Sequence, residues 1–304
     1  MALLRKGKQR RPALSLAAPL LQLRLSADYP QKPGVLRNVA LEMQPGEILG
    51  LVGQSGSGKS TLALAILKLL SWKGGRVSGE VLFEGRDLMA VEESEMRQFR
   101  GRRIGFVLQS PASALNPALR VGTQLTEAWK AHAQEPAGGL TPTLLSLLQT
   151  VSLPADEAFL RRYPAQLSVG QAQRLLIAMA IIHRPALLIA DEPTSALDAI
   201  TQAEILQLFA QLNRELSMGI LYISHDLLSV ASLCHRIAIF HNGEIVECNS
   251  AAQIFQNPAQ PYTRRLIQSL PSNPFDLHSN GSPSSPEQPN LPPRSPEGRK
   301  GMIQ

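Results

Sequence analysis

The sequence predicts an α/β fold with a parallel sheet whose site lies at the strands' carboxyl ends. Three observations lead there. RIGFVLQ (103–109), ALLIADE (186–192) and GILYISHD (219–226) are short apolar runs that end in polar groups. Strands buried on both faces read as continuous apolar runs, and open parallel sheets bind ligands beyond the carboxyl ends of their strands. A glycine-rich loop, GQSGSGKS (53–60), joins the strand-like EILGLVG (47–53) to TLALAILKLL (61–70), which is apolar nearly all round and predicts a buried helix. Residues 110–180 carry Leu-rich helical patterns and no convincing strand, so they read as a helical insertion.

The elements follow in order. Residues 1–19 form a basic arm, with RKGKQRR at 5–11 read as solvated. PALSLAAPLLQLRL follows a basic cluster as in a signal peptide. Pro12, Pro19 and Arg24 interrupt it, and Leu21, Leu23 and Leu25 alternate as in a half-buried strand, so the signal reading is rejected. VLRNVALEM (35–43) is a second strand, closed by a Pro-Gly turn. Ile205, Leu208, Phe209, Leu212 and Leu216 share one helical face. IAIFHNGEIVE (237–247) centres on Asn242-Gly243, a hairpin signal. From Pro271 onward 8 prolines fall in 34 residues with many Ser and Asn, a composition that buries too little apolar surface to offset ordering, so disorder is expected. The folded unit is therefore expected at 20–270.

Bulk properties narrow the function. The chain has 304 residues, 44% hydrophobic and 18% charged, with a net charge of +6. That charge suits an anionic partner without choosing between nucleotide, nucleic acid and membrane surface. The two cysteines, Cys234 and Cys248, show no zinc-like spacing and point to a reducing compartment. No run approaches the roughly 18 apolar residues that span a bilayer, so any work at a membrane is done from outside the lipid.

GQSGSGKS matches G-x-x-x-x-G-K-[ST] between strand and helix, the context of a phosphate-binding loop. Gly53, Gln54, Ser55, Gly56, Ser57 and Gly58 form the loop, whose glycines let backbone N–H groups approach phosphate oxygens, with Lys59, Ser60 and the adjoining Thr61 at the helix start. Lys59 is expected to reach the β- and γ-phosphates, and the Ser60 hydroxyl to hold Mg²⁺. At the end of LLIADE, Asp191 is expected to hold Mg²⁺ and Glu192 to orient or deprotonate the attacking water. His225 ends another strand at the same edge, where it is expected to contact the γ-phosphate. Gln109 is a candidate for Mg²⁺ or for the water. In LSVGQ (167–171), Ser168 and Gln171 make a Ser-x-x-Gln capping box at a helix start.

These motifs, in this order, resemble the ATP-binding-cassette ATPases over roughly residues 20–270. The resemblance implies a P-loop NTPase of the ABC type with an N-terminal antiparallel β subdomain and an inserted helical subdomain, using ATP and Mg²⁺. It implies a head-to-tail pairing with a second ABC ATPase subunit, identical or not. Ser168, Gly170 and Gln171 would then cover the partner's ATP, and Ser195, Ala196, Leu197 and Asp198 would cross the interface. Tyr29, 24 positions before Gly53, falls where the family places a ring on adenine. One position departs: Val169 stands where the family usually has Gly. A β-branched residue disfavours positive φ and limits the approach of a phosphate, so a tuned site is expected, as in a heterodimer with unequal sites.

QSPASALNPALRVG (109–122) and NPAQPYTRRLIQSLP (257–271) resemble the dipeptide, oligopeptide and nickel importer ATPases. The resemblance implies an importer subunit on the cytoplasmic face of the inner membrane. Its partners would be two integral membrane permease subunits and, indirectly, an extracytoplasmic substrate-binding protein. A soluble ABC ATPase acting on nucleic acid or ribosomes is the alternative, supported only by the +6 charge; no nucleic acid is expected. A P-loop kinase or GTPase would leave LSVGQ and SALD unexplained. A non-hydrolysing subunit would not need Lys59, Asp191, Glu192 and His225 together.

Overall fold

The computed structural model describes residues 18–133 and 140–270. Most of the basic arm and the whole Pro-rich tail lie outside the described residues.

Two sheets form the frame. β1 (Leu21–Tyr29), β2 (Lys32–Met43), β4 (Arg76–Phe83) and β5 (Arg86–Asp87) make an antiparallel sheet in the order β2-β1-β4-β5. The second sheet runs β10 (Glu244–Ser250), β9 (Arg236–His241), β3 (Ile48–Val52), β8 (Gly219–Ser224), β7 (Leu187–Asp191), β6 (Ile104–Val107). Its strands are parallel except β10, which returns through the hairpin. Asn242 (φ 49°) and Gly243 (φ 84°) are both left-handed, as a two-residue turn between twisted strands requires.

The parallel strands are buried on both faces, and successive residues serve two different cores. Leu49, Leu51, Leu187, Ile189, Leu221 and Ile223 face the antiparallel sheet and Leu62, Ala63 and Ile66 of α1 (Lys59–Ile66). Leu188, Ala190, Ile220 and Tyr222 face the opposite layer. There α7 (Val169–Ile181), α8 (Ala199–Leu216) and α9 (Leu227–Leu233) pack. Ile205, Leu208, Phe209 and Leu212 of α8 are buried as their spacing predicts, and Leu216 is half-buried. Between β6 and β7 the described residues are helical: α3 (Pro111–Ala114), α4 (Val121–Lys130), α5 (Leu140–Thr150), α6 (Glu157–Leu160) and α7. The remaining helices are α2 (Glu93–Phe99), α10 (Ala251–Gln256) and α11 (Pro261–Gln268).

The structure departs from the sequence reading in two places. The apolar run 61–70 is not one helix. α1 ends at Ile66, Lys68 turns left-handed (φ 53°), and Leu69 N donates to Leu64 O at 2.8 Å, which closes the helix end. The Lys68 ammonium, donating to Met89 O and Val91 O, holds that turn. β4 carries little apolar signal because Gly79 interrupts it at φ 114°, where a Cβ would come within 2.2 Å of Arg24 O.

Candidate functional site

The sheet order decides which side chains meet. β3, β8 and β7 are neighbours in parallel register, with Val52 opposite Ser224 and Asp191 opposite Ile223. The residues just past those strands are Gly53, His225 and Glu192, so three sequence motifs converge on one edge. β6, beside β7, delivers Gln109.

The loop itself depends on glycine at two points. A Cβ on Gly53 would lie 2.2 Å from Phe240 O, so the backbone presses against β9. Gly58 precedes α1 at φ 114°, a conformation L side chains rarely adopt. Lys59 is 4% exposed, and its ammonium donates to Gly53 O (2.8 Å) and Gln54 O (3.0 Å). Burial lowers its pKa, and the charges of Glu192 and Asp191 act against that.

Ser60 Oγ donates to Asp191 Oδ1 at 3.0 Å. Asp191 is buried, and its pKa is raised by desolvation above all, with the Ser60 hydrogen bond opposing. Glu192 is the hub. Its Oε1 lies 3.8 Å from Lys59 Nζ; its Oε2 accepts from Gln109 Nε2 (3.1 Å) and meets His225 Nδ1 (3.2 Å). Its backbone is left-handed (φ 46°), pinned by Glu192 N donating to Ile223 O at 2.9 Å. A non-glycine residue in that region costs of order 1 kcal/mol and recurs at functional sites.

A cleft of about 350 Å³ opens over these groups, lined by Tyr29, Ser55, Gly56, Lys59, Thr61 and Gln109 among others. Lys32 belongs to it as well, its Nζ 3.3 Å from Gly56 O. Sequence reasoning missed Lys32, although a lone lysine in the turn after Tyr29 was there to be weighed. The left-handed Glu192 has no sequence signal, since it follows from the backbone bend between β7 and Pro193.

A second cluster stands apart. Ser168 caps α7 through the predicted box: Gln171 N donates to its Oγ, and Gln171 Oε1 accepts from Ser168 N. A Cβ on Gly170 would meet Thr201 at 2.7 Å, so α7 begins against the start of α8. Asp198 caps α8, accepting from the backbone of Ile200 and Thr201 and from the Thr201 hydroxyl; these bonds, led by the Thr201 backbone, lower its pKa. Ser168, Val169 and Ala196 line a separate, mostly apolar groove, and none of the residues lining the phosphate-loop cleft lines it. The structure thus does not bring Ser168, Gly170, Gln171 or Asp198 to the loop of their own chain. Val169 is the first residue of α7, with no positive φ, so the expected backbone conflict is absent. Its side chain is 55% exposed, and that steric bulk is what remains of the departure.

Comparison with known proteins bears on this geometry. The sequence model of the ABC transporter family matches residues 36–195, just over half the chain. The chain belongs to the ABC transporter family. A model described as the oligopeptide/dipeptide transporter C-terminal region matches residues 246–297 of the chain. The cassette is 43% identical over 247 residues to the glutathione import ATP-binding protein GsiA of Salmonella choleraesuis, covering 79% of this chain and 40% of GsiA. It thus spans well under half the length of that relative. Against the oligopeptide transport ATP-binding protein OppD of Bacillus subtilis it is 40% identical over 259 residues, covering 85% of this chain and 71% of OppD. Its fold matches the ATP-binding cassette MJ0796, a dimeric structure bound to ADP and Pi, with a TM-score of 0.66. That match has 28% identity and covers 76% of this chain and 98% of that one.

Proposed function

We propose that the cassette hydrolyses ATP as a subunit of an ABC importer for peptides or for nickel and other metal chelates. The observation that carries this is the convergence on one cleft of Lys59, the Ser60–Asp191 pair, and Glu192 held by Gln109 and His225.

Each group has a role in hydrolysis. Lys59 exchanges its loop carbonyls for β- and γ-phosphate oxygens. Tyr29 stacks on adenine, and Lys32 adds a positive charge to the same wall. Glu192 accepts a hydrogen bond, and then the proton, from the water that attacks the γ-phosphorus as the bond to the β–γ bridging oxygen breaks. Gln109 and His225 aim that carboxylate, and His225 follows it to the γ-phosphate. The donor set suits a hard divalent cation: a serine hydroxyl beside a buried carboxylate, with Gln109 across the cleft. Mg²⁺ takes most of its ligands from phosphate and water, so one hydroxyl and one carboxylate from the protein would serve it. Bound there, it would neutralise charge on the phosphate oxygens.

Ser168, Gly170, Gln171 and Asp198 then serve ATP on a second cassette, identical or paralogous. Two membrane permeases would take up the closing motion, and an extracytoplasmic binding protein would select cargo. This reading places the subunit peripherally on the cytoplasmic face; among the described residues no helix is long and apolar enough to cross a membrane. The likeness to a glutathione import protein, GsiA, and an oligopeptide transport protein, OppD, and the match at 246–297 support peptide-like cargo over the nucleic-acid alternative. The test is ATP hydrolysis by the purified chain beside Glu192→Gln. Magnesium-dependent turnover that falls about 100-fold or more in the variant is expected; equal rates in the two proteins would refute the assignment.

A further inference from the structure

The stretch from Asn257, singled out in the sequence for its Asn-Pro and Pro-Tyr-Thr-Arg pattern, has no part in the chemistry above. The structure anchors it firmly. The Glu247 carboxylate of β10 accepts from Ala259 N (2.8 Å) and Gln260 N (3.1 Å), and Thr263 on α11 is fully buried. This seating lays the Tyr262 ring on His241, with centroids 3.8 Å apart and planes 24° from parallel. His241 ends β9, whose Phe240 carbonyl presses on Gly53 at the start of the phosphate loop.

The Tyr262 hydroxyl is buried and has no hydrogen-bond partner at ordinary geometry. Its neighbour in the loop is the Gln54 backbone amide. Burial raises the phenol's pKa, and that amide and Arg265 oppose the rise. The Gln54 N–H belongs to the same peptide group as the Gly53 carbonyl, which accepts from Lys59 Nζ. In a trans peptide the two point in opposite directions, so Lys59 stands at one end of this group and Tyr262 at the other.

We propose that Tyr262 is a positioning residue for the phosphate loop, its hydroxyl accepting from the Gln54 N–H when Lys59 leaves the Gly53 carbonyl for a nucleotide phosphate. The C-terminal segment thereby acts as a brace that keeps the emptied peptide from rotating. This rests on the reading that the loop binds ATP.

Tyr262→Phe tests it, since it keeps the ring and the stack and removes only the hydroxyl. The full-length chain is titrated with a fluorescent ATP analogue and Mg²⁺, and hydrolysis is measured across ATP concentration. The expected result is affinity weakened about threefold to tenfold, the worth of one ordinary hydrogen bond. KM rises with it, and the rate at saturating ATP stays within about twofold. His241→Gln, which removes the stack, is expected to weaken affinity in the same direction. A hydroxyl with a merely structural role would alter only stability, and its removal would relieve a buried group without a partner. Wild-type affinity in Tyr262→Phe, whatever its melting temperature, overturns the proposal. A wild-type chain that binds no ATP overturns instead the reading on which it rests.

Discussion

Asp191→Asn separates the stability of this cassette from its activity. Asp191 closes β7 with 7% of its surface exposed and one hydrogen bond from Ser60, at 3.0 Å. Desolvation raises its pKa, the Glu192 charge adds to the rise, and Ser60 and Lys59 do not cancel it. A carboxyl whose folded pKa lies above its unfolded value binds its proton more tightly in the fold. Stability therefore declines as pH rises from the unfolded value, near 4, through the folded one, and stays at the lower level beyond. Each unit of the rise corresponds to about 1.4 kcal/mol. Asparagine keeps the shape and the acceptor for Ser60 and removes the charge. The variant without nucleotide is expected to be more stable than wild type at about pH 7. That advantage should fade toward about pH 3, where the wild-type carboxyl is protonated in both states. Hydrolysis is expected to fall about 100-fold or more, because the charge that penalises the empty fold is the one a bound Mg²⁺ would need. Urea unfolding followed by the fluorescence of Trp72 and Trp129, at several pH values, measures the first part. A variant less stable than wild type near neutrality, or an advantage that grows on acidification, would refute the reasoning.

Two further outcomes follow from the helix that Ser168 opens. Val169→Gly removes bulk from the mouth of the groove without relieving any backbone conflict, so ATP turnover should rise about twofold to tenfold. Its stability cost should stay below about 1 kcal/mol, and an unchanged rate would count against Val169 as a tuning residue. Gly105→Ala would place a Cβ 2.5 Å from Ala180 O and 2.9 Å from Leu188 Cδ1, wedging β6 from α7. A loss of about 2–3 kcal/mol is expected from urea midpoints, and a loss below about 0.5 kcal/mol would show that the layer gives way freely.

What the sequence made legible was whatever local pattern controls. The buried strands announced themselves as apolar runs, the phosphate loop by its spacing, the α7 cap by Ser168 and Gln171, and the hairpin by Asn242-Gly243. What escaped it depends on contacts between distant segments. The end of α1 at Ile66 is set by Lys68 reaching Met89 and Val91, and β4 is a strand because β1 pairs with it across Gly79. The positive φ of Glu192, the place of Lys32 in the cleft and the seating of Tyr262 on His241 arise only once the sheets are assembled. Val169, as a helix's first residue, takes no positive φ, so only its bulk sets it apart from a glycine there.

On this reading one chain supplies the ATP-hydrolysing cleft and a separate cluster that acts on the nucleotide of a second cassette. Light-scattering mass of full-length Glu192→Gln, with and without ATP and Mg²⁺, tests it most directly, alongside equilibrium dialysis for bound nucleotide. The expected result is ATP bound at Lys59 and a monomer that becomes a dimer only with ATP. A chain that binds no ATP refutes this reading outright, and one that binds ATP yet stays monomeric rules out an identical partner and leaves Ser168 and Gly170 to the site of a paralogous cassette.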